Sequence, residues 1–237
     1  MEKFQRRLYV LAAVPAILMI LSWATGSNNM ILREGVAFTC AAICILIVLA
    51  ISNSSRVLWI LSVAFFLAII GDYFLHKQTN DTEFITGILF FFLSHICFLV
   101  YALKRAKFHW MVFVLIAIPL LVFYFVGLVP SAGLRGDIPL TVAALCYLLV
   151  SSFSLAAAVS GVVRTPKSSA RWAFTLGIAS LLISDTFISI VDFIKFTVVD
   201  PLVMPLYYLA HVLVALSVTL EYAGNAGNGI TTNENTN

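Results

Sequence analysis

Two carboxylates stand where an apolar chain should have none. Asp72 falls in "AIIGDYFLHKQTND" and Asp185 in "LLISDTFISIVD". An ionisable group inside a membrane span is costly, and such groups usually face a cavity or a partner and do work. The plainer alternative is that each acid caps a neighbouring helix or pairs with a histidine. Two histidines are in reach of that role. In "FITGILFFFLSHICFLVYAL", a rotation of about 100° per residue puts Phe84, Gly87, Phe91, His95, Phe98 and Ala102 on one stripe. His95 is the polar group on it, and Gly87 leaves room for a backbone or an acyl chain. In "PLYYLAHVLVAL", Tyr208, His211 and Ala215 share a face, with Tyr207 beside them. The histidines could simply be hydrogen-bonded to neighbours. The tyrosines could be interfacial anchors, or could cap a site and hold a cationic headgroup.

Other chemistries leave no mark. There is no GxSxG, no HExxH and no Walker loop. Asp72, His95 and His211 could ligate zinc as three protein ligands plus water, but their spacing gives no positive sign of it. Cys40, Cys44, Cys97 and Cys146 follow no zinc or redox pattern and read as small buried hydrophobes.

The elements that must hold these groups are membrane helices. The chain of 237 residues is 62% hydrophobic and 11% charged, against about a quarter charged in soluble domains. Apolar stretches of spanning length recur at about 8–25, 35–51, 57–75, 84–103, 109–128, 139–161, 171–191 and 202–222. The expected fold is an all-α integral membrane domain of eight helices over residues 1–222. A Gly/Asn/Thr-rich tail, 223–237, is expected to be disordered. With a cytoplasmic N-terminus, ten of the 14 Lys and Arg residues fall in cytoplasmic segments, so the positive-inside rule places both termini there. The loops after Asp72 and Asp185 then share the non-cytoplasmic side. Reading the first segment as a cleaved signal peptide would break that parity. The charge of +3 is accounted for by orientation, and no nucleic-acid patch stands out.

The two halves look alike. Pro15 and Pro119 are offset by 104, Cys40 and Cys146 by 106, Asp72 and Asp185 by 113, His95 and His211 by 116. A duplicated four-helix unit would run parallel, with a site at the interface of the repeats. The two acids would then face each other.

The motifs "GDYFL", "FITGILFFFLSHICFLVY", "SD" and "YYLAH" resemble the YhhN family of lysoplasmalogenases. The residues that carry the resemblance are Gly71, Asp72, Phe84, Gly87, Ser94, His95, Tyr101, Ser184, Asp185, Tyr207 and Tyr208. His211 stands where family members often have Gln. The resemblance implies an enzyme that cleaves the vinyl ether bond of a lysoplasmalogen; no cofactor is expected. Its products would be a fatty aldehyde and glycerophosphoethanolamine or glycerophosphocholine. Such a bond is hydrolysed by protonating its outer alkene carbon, which leaves an oxocarbenium ion for water to attack. Burial in low dielectric favours the neutral form of a carboxyl, and glycosidases use acid pairs around a similar cation. Asp185 is therefore expected as the buried acid and Asp72 as the water-side base, with His95 and His211 positioning water or an acid. The lysophospholipid would come from the bilayer and lay its chain along the Phe-rich face, with Lys77 or Lys195 near its phosphate. A bacterial cytoplasmic membrane suits the compact chain, and nothing in the sequence specifies an oligomeric state. Two other readings compete: a proton-coupled transporter and a zinc-dependent intramembrane lipid hydrolase.

Overall fold

A computed structural model describes residues 30–52, 57–77, 81–131, 134 and 136–234, with six isolated positions before residue 30. Most of the expected span at 8–25, Pro15 included, therefore lies outside the described residues. Among the described residues the chain is all-helical, with seven α-helices. These are α1 (Met30–Ser52), α2 (Leu58–Lys77), α3 (Asp81–Leu103), α4 (Trp110–Val122), α5 (Ile138–Arg164), α6 (Ser169–Ser189) and α7 (Asp200–Glu234). Among the described residues six segments are long and apolar enough to cross a membrane: Leu58–Leu75, Thr82–Leu103, Trp110–Leu128, Ile138–Arg164, Ser169–Ile194 and Thr197–Tyr222. The apolar part of α1, Gly35–Ala50, is shorter. The helix of α7 runs on to Glu234, past the apolar boundary at residue 222.

The helix ends follow from local chemistry. Asp137 caps α5 by accepting from the Leu140 N–H at 2.9 Å, with a proline in the first turn. That arrangement satisfies a donor the helix cannot. Ser168 caps α6 in the same way, accepting from the Arg171 N–H. Two features depart from simple helix. After α4 the chain widens into a π-helical segment, Phe123–Leu128, and after α6 into another, Ile190–Ile194. Pro119 inside α4 lacks a donor and cannot sustain the regular ladder. The first π segment is pinned where the Tyr124 hydroxyl donates to the Thr141 carbonyl at 2.6 Å. The second stops at Lys195, which turns left-handed at φ 64°.

In lipid, helices associate by close packing and by polar contacts rather than by a hydrophobic drive. The sequence supplies both. Gly71 of α2 faces Phe91 and the Gly87 carbonyl of α3, and a Cβ there would sit 2.7 Å from the Phe91 ring. Gly87 in turn faces Leu75 of α2. The Ser94 hydroxyl donates to the Ala64 carbonyl at 2.8 Å, tying α3 to α2. The α6–α7 pair repeats the device: Ser184 donates to the Val203 carbonyl at 2.9 Å, and Gly177 lies against Ala210 and Val214. A Cβ at Gly177 would meet the Val214 side chain at 2.9 Å and the Ala210 carbonyl at 3.0 Å. Because one of those neighbours is backbone, Gly177→Leu should force α6 and α7 apart. We expect a loss of about 1–3 kcal/mol, read as a lower thermal unfolding midpoint in detergent, while an unchanged midpoint would contradict the close approach.

Two buried clusters result. The larger joins α1, α2, α3, α5, α6 and α7 around Phe65, Phe98, Ile178 and Tyr208. The smaller gathers Tyr124, Leu128, Leu134, Leu140, Leu148 and Phe193, with Phe84 and Ile88 of α3 against it. Most of α4 points outward, with Met111 and Leu115 strongly exposed, as a lipid-facing helix requires.

Candidate active site

The acids lie at one end of the bundle, where α2 and α6 finish and α3, α5 and α7 begin. Asp185 is nine residues from the end of its span at Ile194, and Tyr147 is nine residues into the span that opens at Ile138. Both therefore lie at about the same depth, roughly 13 Å in at 1.5 Å per residue. Their side chains meet: the Tyr147 hydroxyl donates to Asp185 Oδ2 at 2.5 Å. His95, fully buried, places Nε2 3.4 Å from the same oxygen. That approach is too poorly aligned for a hydrogen bond and is a close polar contact only. The His95 ring also stands edge-on to Tyr147, centroids 5.2 Å apart. Its backbone is fixed by the Ser154 hydroxyl, which donates to the His95 carbonyl at 2.8 Å.

Asp72 has the matching arrangement. The Tyr207 hydroxyl donates to Asp72 Oδ2 at 2.5 Å. Tyr207 is buried, packs edge-on to Phe91 at 6.2 Å and lies 4.3 Å from the His211 ring. Phe91 and His95, four residues apart on one face of α3, link the two pairs: Tyr207 packs on Phe91 and Asp185 faces His95, so both acids belong to one cluster. His211 Nδ1 lies 2.9 Å from the Tyr207 carbonyl. A carbonyl can only accept, so Nδ1 carries the proton and Nε2 of neutral His211 holds a lone pair. That Nε2 is buried without a protein partner.

A narrow apolar cleft with a free volume of about 70 Å³ leads to Asp185 and Tyr147. Phe84, Phe91, Phe123 and Phe193 line it, and it runs along the seam between the two buried clusters. Both π segments contribute to its wall through Phe123, Leu128 and Phe193. Such segments are frequent at functional sites because they redirect side chains within an otherwise regular helix.

The site residues expected from the sequence are distributed unevenly. Asp72, Asp185, His95, His211 and Tyr207 come together, Phe91 lines the cleft, and Gly87 serves the α2–α3 approach. Ser184 is a packing residue, bonded to the neighbouring backbone. Tyr208 is 1% exposed within the larger core, so it does not cap the site from outside. Tyr101 lies at the opposite end, with its hydroxyl 3.4 Å from Glu221 Oε2. Among the described residues no three His, Cys, Asp or Glu side chains converge as metal ligands would, so Asp72, His95 and His211 do not form one ligand set. The side chain of Lys77 lies outside the described set. Sequence reading missed Tyr147. Its signal was depth: tyrosine as an anchor belongs at the interface, and this one is in mid-span, level with Asp185.

The model of the YhhN family matches residues 35–218. The chain belongs to the YhhN family. The match covers every residue of the acid cluster and the cleft. No curated protein and no solved structure matches the chain. For this YhhN protein, the arrangement can do acid–base chemistry on a substrate that reaches Asp185 through an apolar passage.

Proposed function

We propose that this protein is a membrane-embedded lysoplasmalogenase, hydrolysing the vinyl ether bond of a lysoplasmalogen to a fatty aldehyde and a glycerophospho-alcohol. The observation that carries the reading is the tyrosine-bound Asp185 on a Phe-lined cleft, with a second tyrosine-bound aspartate, Asp72, on the far side of Phe91. A single-chain lipid needs the cleft, and a vinyl ether needs the acids.

Asp185 opens on the cleft and is the proton donor. Its Oδ2 is engaged by Tyr147 and faces His95, which leaves Oδ1 to carry a proton to the outer alkene carbon. The electron pair of the double bond takes that proton, and positive charge develops on the carbon bonded to the ether oxygen. The ionised carboxylates then stabilise the cation. Asp72, with Tyr207 and the Nε2 lone pair of His211, takes a proton from water as it attacks that carbon. The hemiacetal collapses when the carbon–oxygen bond to glycerol breaks: Asp72 returns its proton to the leaving glycerol oxygen, and Asp185 takes the proton of the hemiacetal hydroxyl, which restores both carboxyls.

In the proposed topology eight spans cross the membrane with both termini cytoplasmic. Lys104, Arg105, Lys107, Arg164, Lys167 and Arg171 gather at the end opposite the acids, which supports a site facing the non-cytoplasmic side. The similar glycine and serine devices in the α2–α3 and α6–α7 pairs support a duplicated unit.

Purified protein in detergent, stripped with chelator, should release aldehyde from lysoplasmenyl lipid. Detergent abolishes any gradient, so turnover there removes the transporter reading, and activity after chelation removes the zinc reading. No aldehyde under any condition sinks the proposal. A finer test is Tyr147→Phe. Removing a hydrogen bond to a charged group costs about 1.5–3 kcal/mol, so the initial rate should fall about tenfold or more. A wild-type rate would take Tyr147 out of the reacting machinery.

A further inference from the structure

A second cavity, of about 670 Å³, opens at the end of the bundle opposite the acids. Along α6, Arg171 in this cavity and Asp185 in the acid cluster are 14 residues apart, about 21 Å at the helical rise. Among the described residues the cavity walls carry Arg105, Lys167, Arg171 and one carboxylate, Glu221.

The guanidiniums are built in rather than trailing at the surface. Arg171 donates from Nη1 to the Gly161 carbonyl and from Nη2 to the Arg105 carbonyl, each at 3.2 Å. Those two bonds occupy two of its five donors and fix the plane of the fork. Gly161 makes room for it, since a Cβ there would stand 3.3 Å from Nη1. Arg105 lies 4.2 Å above the Tyr101 ring and pairs with Glu221. Burial, and further on the charge of Arg171, push the Arg105 pKa below its ordinary value. Three cationic groups therefore face one carboxylate in a partly dehydrated space. The first turn of α6, capped by Ser168, borders the same space and adds the positive end of a helix dipole.

We propose that this cavity binds a phosphate-bearing anion, held by Arg171, Lys167 and the first turn of α6, at a site separate from the acid pair. A planar guanidinium fork matches phosphate oxygens, and the volume lies in the range of small-molecule sites. The ligand is not the substrate seated in the acid site. In one lysolipid only a glycerol separates the phosphate from the vinyl ether, far too short a link to join the two places. The chemistry fits either a soluble phosphate ester or the headgroup of an anionic phospholipid. Either would compete with Glu221 for Arg105 and so loosen the tie between the end of α3 and α7.

The test uses the full chain and two kinds of probe. Calorimetry in detergent measures binding of inorganic phosphate and of glycerol 3-phosphate. Native mass spectrometry from nanodiscs measures retention of phosphatidylglycerol against phosphatidylcholine. Saturable binding of at least one probe is expected. Arg171→Gln should weaken it about tenfold through lost charge-assisted hydrogen bonds, Lys167→Gln should weaken it less, and Asp185→Asn should leave it unchanged. Binding of the soluble probes identifies a soluble ester, and selective retention of phosphatidylglycerol alone identifies a lipid. If Arg171→Gln does not fold, Lys167→Gln, at an exposed side chain, decides. No saturable binding of any probe overturns the proposal, as does binding that ignores both basic-residue variants or is lost in Asp185→Asn.

Discussion

Asp185→Asn should lower the rate of aldehyde release by about 10²–10⁴-fold, the usual contribution of a positioned general acid. The amide has the same shape, so no cavity opens. The Tyr147 hydroxyl can still donate to the side-chain oxygen that replaces Asp185 Oδ2. What the variant lacks is an acidic proton directed at the cleft. The protein should therefore stay monodisperse, with an unfolding midpoint close to wild type and the substrate KM little changed. Asp185→Ala is a different experiment, because it also strands the Tyr147 hydroxyl and vacates space beside the buried His95. Initial rates on lysoplasmenyl lipid, beside a thermal melt of the same preparation, separate chemistry from folding. A near wild-type rate in Asp185→Asn would end its role as the acid.

Asp72→Asn should cost a similar factor for a different reason. Here the acid survives, but water loses the base that deprotonates it and the carboxylate that steadies the cation. Asp72 is held by Tyr207 at 2.5 Å, and Tyr207 adjoins His211, so the amide should again be accommodated without unfolding. The assignment of roles makes the two variants distinguishable. A small anionic nucleophile such as azide needs no deprotonation and can trap the cation directly. Azide should restore part of the turnover in Asp72→Asn and none in Asp185→Asn. Rescue of Asp185→Asn instead would exchange the two roles.

Much of this site was legible before any coordinates. Asp72 and Asp185 announced themselves as acids in apolar sequence. The helical period alone placed Gly87, Phe91, His95, Phe98 and Ala102 on one face, and all five are buried. Tyr208, His211 and Ala215 fared the same. The boundaries of α3 and α5 came within a few residues, because apolar length is itself what the membrane selects. Three things were not legible. The π segments at Phe123–Leu128 and Ile190–Ile194 depend on tertiary anchoring, such as the Tyr124 bond to Thr141, which no local pattern encodes. Tyr147 carries no charge and belongs to no motif, so only its depth, matching that of Asp185, marked it. Tyr101 was drawn toward the site by resemblance. Its position six residues beyond His95, about 9 Å along the axis, sends it to the basic end instead.

The central claim is that carbon, and not oxygen, takes the first proton. Hydrolysis carried out in D2O, with the aldehyde trapped as it forms and examined by mass spectrometry, tests that claim directly. Protonation of the vinyl ether predicts a single deuterium on the carbon next to the aldehyde group. An aldehyde carrying no deuterium there, or no aldehyde at all, would contradict the account.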